Sequence, residues 1–205
     1  MDCLDRYRGC LLGGAAGDAL GYPVEFDRRA DILQAYGPRG ITDYALMDGV
    51  AQISDDTQMT LFTANALLFA ETHRRIGAPG GTMEGATTAC YRDWLRTQEE
   101  SYPLPDRDHT AWLVHVPELF HRRAPGNTCL NAVAQGASGT VERPINPSKG
   151  CGGIMRVAPI GLHAARPEGA GLLAVRNAAM THGHELGYLP SGVLGYCVSA
   201  LAHEE

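Results

Sequence analysis

Apolar residues in this chain recur at steps of three and four and hardly anywhere at steps of two. That period marks one face of an α-helix. Leu4, Tyr7, Leu11, Leu12, Ala15, Ala19 and Leu20 form one such stripe. Leu61, Phe62, Ala66, Leu67, Phe69 and Ala70 form a second, and Met83, Ala86, Thr87, Cys90, Tyr91, Trp94 and Leu95 a third. Further helical segments are expected near 111–122, 128–137, 153–165, 168–181 and 187–202, and Pro167 opens one of them at a first-turn position. No segment alternates apolar and polar residues for long between turns, so strands are not expected. The expected fold class is all-α. With 205 residues, the chain reads as a single domain over 1–205, long enough to bury a core without disulfides.

Composition mainly excludes. Seventeen Lys and Arg against 23 Asp and Glu leave a net charge of −6, and Lys149 is the sole lysine. A nucleic-acid backbone is therefore not an expected partner. The six cysteines, at 3, 10, 90, 129, 151 and 197, contain no C-x-x-C pair. They fit neither a zinc knuckle nor a disulfide framework, and no signal peptide stands in front of them. Every apolar run is broken by Gly, Pro or charge before it could span a bilayer. The expectation is a reduced, cytoplasmic protein with no membrane partner. The stretches 22–53, 97–110 and 138–152 are rich in Gly, Pro, Asp and Ser and read as loops, longer than connections require, which is where function concentrates.

Ser54-Asp55-Asp56-Thr57 stands directly before the second stripe. Read as structure, Ser54 caps free N–H groups and the aspartates complement the positive end of the helix dipole. Read as chemistry, adjacent carboxylates and hydroxyls are hard oxygen ligands for Mg²⁺ or Mn²⁺. The dipole opposes a cation there, so more carboxylates would have to arrive from elsewhere. Gly13 to Gly21 reads as a small-residue helix packed tightly on a neighbour and ended by Gly21. After it comes Glu25, a carboxylate between Val24 and Phe26; it is a surface glutamate or, in apolar surroundings, a group with a raised pKa suited to general acid–base work.

Asn146 to Arg156, N-P-S-K-G-C-G-G-I-M-R, gathers three glycines with Ser148 and Lys149 before a helix. Such a backbone can approach a phosphate closely, although the order of a Walker loop is missing. Its plain alternative is a flexible turn. In Thr181-His182-Gly183-His184 the two histidines do not share a helical face, and a helix cap with Gly183 as the left-handed residue competes with a metal site.

Taken in order, G-D-A-L-G at 17–21, Glu25, S-D-D-T-Q-M at 54–59, P-G-N-T at 125–128, S-K-G-C-G-G-I-M-R at 148–156 and T-H-G-H at 181–184 resemble the ADP-ribosylglycohydrolase family over nearly the whole chain. The resemblance implies a compact, orthogonal many-helix fold and a cleft holding two Mg²⁺ or Mn²⁺ ions. The implied reaction is hydrolysis of the bond between ADP-ribose and a modified group. It further implies that Ser54, Asp55, Asp56 and Thr57 supply metal ligands, with Asp55, Asp56 and Glu25 as the catalytic set. Gly150, Cys151 and Gly152 would surround the diphosphate, Ser148 and Lys149 would lie beside it, His182 close to the ADP-ribose and Asn127 near the distal cleft.

The resemblance also implies a D-x-D-[ST] motif near the C-terminus, and this sequence shows none after its last helix. Asp106 and Asp108 have the D-x-D form but sit mid-chain. The expected picture is thus a family fold truncated at the C-terminus, with half its metal site missing and an apolar face on 187–202 open to self-association. Two functions follow: a Mg²⁺-dependent hydrolase, or a catalytically weak ADP-ribose-binding module or regulatory pseudoenzyme.

Overall fold

The computed structural model describes residues 3–79, 81–105 and 109–203. Among them are eight α-helices: α1 (Cys3–Gly21), α2 (Arg29–Tyr36), α3 (Asp55–Ile76), α4 (Met83–Glu99), α5 (Asn127–Ala134), α6 (Ala158–His163), α7 (Pro167–Ala179) and α8 (Glu185–His203). The fold is all-α. One exception to the expected lack of strands is a two-residue antiparallel hairpin, in which Leu46 pairs with Ala51 and Met47 with Val50.

Helix α3 is the central element, and both of its ends are written in the sequence. Ser54 Oγ accepts the Asp56 N–H at 3.1 Å, as an N-cap should. At the other end Gly77 takes φ +66, and its N–H bonds back to the His73 and Arg74 carbonyls, a left-handed cap that glycine adopts without strain. The buried face of α3, with Met59, Phe62 and Ala66, packs against Cys90, Tyr91 and Trp94 of α4 and Leu130 and Val133 of α5. Full burial of a side chain such as Phe62 contributes about 1.5–3 kcal/mol. A second cluster joins Leu67 of α3 to Val157, Ile160 and Ala174. Helices α7 and α8 approach closely because glycines line the contact: a Cβ at Gly192 would lie 2.6 Å from Val175 Cγ2, and one at Gly195 would lie 2.7 Å from Ala174 Cβ.

Several expectations fail for local reasons. The 111–122 segment is not an α-helix but two 3₁₀ turns, Trp112–His115 and Pro117–Leu119. Pro117 has no N–H to give and holds Val116 extended at φ −102, ψ 103. The 153–165 segment is a 3₁₀ turn at Cys151–Gly153 followed by the short α6. Helix α2 lies inside the stretch read as loop.

The glycine-rich α1 does form, yet a Cβ at Gly9, Gly13, Gly14, Gly17 or Gly21 would meet nothing within 4 Å, so the expected tight helix contact is absent. Gly21 keeps a right-handed φ of −82, and the chain runs on into a 3₁₀ turn at Tyr22–Val24. Helix α8 leaves Leu186, Leu189, Val193, Tyr196 and Leu201 exposed along one row. No helix among the described residues is long and apolar enough to cross a membrane.

Candidate functional site

The start of α3 is held from outside by Asp18 of α1, a residue to which the sequence reading gives no role. Asp18 Oδ2 accepts the Ser54 N–H at 2.9 Å and the Thr57 N–H at 3.2 Å. It also accepts the Thr57 hydroxyl in a short bond. Three donors on one carboxylate oxygen fix α1 against the first turn of α3 and orient Asp55 and Asp56. The Asp55 N–H donates to the Arg123 carbonyl at 2.9 Å, and Asp55 Oδ2 accepts the Gly126 N–H at 3.3 Å. The segment entering α5 is thereby tied to the same turn. Only its place inside the G-D-A-L-G motif could have pointed to Asp18.

Four carboxylates influence one another here. Asp55 is buried, and its pKa is raised to about 7, first by burial and then by the charges of Asp56, Glu25 and Asp18, against a lowering by the Gly126 N–H. Asp56 is half-buried and raised to about 6 by burial, Asp18 and Glu25. Glu25 follows the 3₁₀ turn at Tyr22–Val24 and is itself exposed; partial desolvation and the Asp18 charge raise its pKa.

Asp56 and the second oxygen of Asp55 accept no hydrogen bond from any described residue. Such unoccupied hard oxygens suit a divalent cation in kind. No three His, Cys, Asp or Glu among the described residues converge closely enough to enclose an ion; the Ser54 hydroxyl, which accepts the Asp56 N–H, and the Thr57 hydroxyl, which donates to Asp18, each retain a lone pair that suits a cation.

The glycine loop lies next to this cluster. The Cys151 thiol, exposed in the loop, is pushed up by partial desolvation and by Asp56, Glu25 and Asp55. The loop is anchored on both sides: Ser148 Oγ lies 3.1 Å from Thr128 Oγ1 of α5 and accepts the Gly150 N–H at 3.3 Å. Asn146 Oδ1 accepts the N–H groups of Ser148 and Gly183, at 3.0 and 3.3 Å. Lys149 is exposed and makes no ion pair with a described residue. Asn127, exposed, is the first residue of α5.

His182 sits beneath the loop and is 1% exposed. A Cβ at Gly150 would lie 3.4 Å from His182 Nε2; at Gly152 it would lie 2.6 Å from Cys129 Sγ and 3.0 Å from His182 Cε1. Gly152 is therefore required by close approach to the Cys129 thiol and the imidazole, whereas at Gly150 the contact is an ordinary one. Gly183 is not the left-handed cap that the sequence suggests: its Cβ would collide with the Asn146 carbonyl and Pro144. The capping histidine works at the next helix instead, where His184 Nδ1 accepts the Leu186 N–H at 3.1 Å.

Behind His182 lies Arg156, completely buried, which closes the loop motif and has no role in the sequence reading. Its guanidinium donates to Asn177 Oδ1 (3.0 Å), the Asn177 carbonyl (2.9 Å) and Thr181 Oγ1 (2.7 Å), and stands 4.8 Å above the Tyr91 ring. Asp106 and Asp108 lie outside the described residues. A separate cavity of about 640 Å³, lined by Leu172, Arg176, Tyr188 and Leu189 among others, contains none of the candidate site residues.

The family model described as ADP-ribosylglycohydrolase matches residues 1–205. The chain is 30% identical over 202 residues to ADP-ribosyl-[dinitrogen reductase] glycohydrolase of Rhodospirillum rubrum. That match covers 96% of this chain and 58% of the relative, so the chain spans little more than half of the relative's length.

Proposed function

The chain belongs to the ADP-ribosylglycohydrolase family, and from that premise we propose that it hydrolyses the bond joining ADP-ribose to a modified group, such as an arginine or serine side chain. One observation carries the proposal. Asp55 accepts the Gly126 N–H at 3.3 Å, and two residues on, Thr128 Oγ1 lies 3.1 Å from Ser148 Oγ, so the entry to α5 ties the acidic turn and the glycine loop into one site. In this reading Gly150, Cys151 and Gly152 take the diphosphate, with Ser148 and Lys149 beside it. His182 lies beneath the loop, close to the ADP-ribose, and Asn127 faces the outer part of the cleft.

Burial and crowding bring the pKa values of Asp55 and Asp56 close to neutrality while no cation is bound; Glu25, outside the ligand set and itself raised, is the carboxylate suited to accept and return a proton at an attacking water. Glu25 is close enough for its charge to act on both aspartates. Cleavage builds positive charge at the anomeric carbon, and a surrounding set of carboxylates stabilises it. Asp55, Asp56 and the hydroxyls of Ser54 and Thr57 would hold Mg²⁺ or Mn²⁺, two ions in complete family members, and such an ion would orient the ribose hydroxyls and water. Unpaired thiols at all six cysteines support a cytoplasmic setting.

A second reading has an observation of its own. Because no three acidic, His or Cys side chains among the described residues enclose an ion, the chain could hold ADP-ribose without turning it over. Incubation with ADP-ribosylated protein in Mn²⁺ or Mg²⁺, followed by mass spectrometry of released ADP-ribose, separates the two. Release above the enzyme-free rate is expected, whereas binding without release would establish the module.

A further inference from the structure

Three hydrogen-bonded groups run from the core to the underside of the glycine loop. Arg156 Nη2 donates to Thr181 Oγ1 at 2.7 Å, and Thr181 Oγ1 lies 2.8 Å from His182 Nδ1. The threonine hydroxyl has one hydrogen and two candidate acceptors, the Ala178 carbonyl at 3.4 Å and His182 Nδ1. The Ala178 carbonyl already accepts the N–H groups of Thr181 at 3.1 Å and His182 at 2.9 Å, which occupies both of its lone pairs. A hydroxyl that accepts from a guanidinium is polarised, becoming a stronger donor and a poorer acceptor for a second N–H. Both effects send the hydroxyl hydrogen to Nδ1. A neutral imidazole that accepts at Nδ1 carries its own hydrogen at Nε2.

We propose that Arg156 and Thr181 are positioning residues that fix His182 as the Nε2–H tautomer, so that its ring is a permanent hydrogen-bond donor aimed at the Gly150–Gly152 loop. Burial first, and then the Arg156 charge, hold the His182 pKa down to about 4, so the ring stays neutral at physiological pH. Nε2 bonds to no described residue and lies within 3.4 Å of the Cβ position of Gly150 and 3.3 Å of that of Gly152. An Nε2–H has no lone pair. His182 therefore takes an acceptor oxygen, phosphoryl or ribose, and does not ligate metal. The identity of that oxygen's owner rests on the ADP-ribose reading, while the tautomer does not.

The test uses the full chain labelled with ¹⁵N-histidine. Long-range ¹H–¹⁵N spectra at pH 7 report which ring nitrogen carries hydrogen, and His182→Gln identifies the signal. The wild type is expected to show Nε2–H alone. Thr181→Val should give mixed tautomers and weaken ADP-ribose binding about tenfold, the scale of one hydrogen bond, and Thr181→Ser should restore both. An Nδ1–H ring in the wild type overturns the proposal even where Thr181→Val fails to fold, and an unchanged Thr181→Val spectrum overturns it too. An Nε2–H ring in a chain that binds no ADP-ribose would sustain the relay and remove the functional reading. An Nδ1–H ring in a chain that does bind it would do the reverse.

Discussion

Asp55→Asn is expected to lower hydrolysis at least ~100-fold, because it removes a carboxylate ligand of the cation, and at the same time to stabilise the metal-free fold above pH 7. Both effects follow from the charge that the substitution removes. Asp55 is 5% exposed and shares its surroundings with three other carboxylates, and its pKa is raised to about 7 from the ordinary carboxyl value near 4. As pH rises from 4, the unfolded chain releases this proton first while the folded chain retains it. The folded state binds more protons over that interval, so stability falls between about pH 4 and 7 and levels off above. Three pKa units correspond to a loss on the order of 4 kcal/mol. Asparagine keeps an oxygen for the Gly126 N–H and never ionises, so its profile should be flatter. Calorimetric melting from pH 4.5 to 8 in a chelator measures this. A variant that melts like the wild type at every pH, or that turns over normally, would count against the role given to Asp55.

Gly152→Ala should strongly damage the face of the loop that lies over His182. Its Cβ would fall 2.6 Å from Cys129 Sγ and 3.0 Å from the His182 ring, and neither neighbour can retreat. Cys129 is 1% exposed, directs its thiol at the Gly152 carbonyl and touches the Arg156 guanidinium at 3.7 Å. The loop must lift instead. ADP-ribose affinity is expected to fall at least tenfold, and stability by about 1–3 kcal/mol, the cost of overpacking. Gly169→Ala provides the contrast: a Cβ there meets nothing within 4 Å, and in a helix the change should be neutral or stabilising by up to ~1 kcal/mol. Equal affinities for the two variants would show that the loop does not form the binding surface.

The helices that were legible in the sequence are those with a buried stripe. The Leu61–Ala70 and Met83–Leu95 patterns announce α3 and α4 because Phe62, Ala66, Tyr91 and Trp94 all face one core. Helix α2 could not be read this way, since it runs for only eight residues and none of them is buried. In 111–122 Ala111, Leu113, Val114 and Leu119 are buried while Trp112 stays exposed, and Pro117 makes the chain bury them from 3₁₀ turns. The glycines of α1 marked a helix correctly and its packing wrongly: small residues permit close approach without supplying a partner.

The candidate site divides along a similar line. Asp55, Asp56 and the glycine loop were visible as local motifs. Asp18 and Arg156 were printed inside those motifs, yet their work is done on residues 36, 39, 21 and 25 positions away, and no local pattern encodes a partner that distant. The cap reading of Ser54 holds, and it leaves the carboxylates of Asp55 and Asp56 free for the metal-ligand reading. Ser54 caps the helix with its hydroxyl, while Asp18, by taking the Ser54 and Thr57 N–H groups, leaves Asp56 without a donor.

The most direct measurement of the central claim is a calorimetric titration of this chain with ADP-ribose, in chelator and again in Mg²⁺ or Mn²⁺. Binding that strengthens with the cation is the predicted result, because the cation would relieve the mutual repulsion of Asp18, Glu25, Asp55 and Asp56 beside the loop. No binding under either condition would contradict the account.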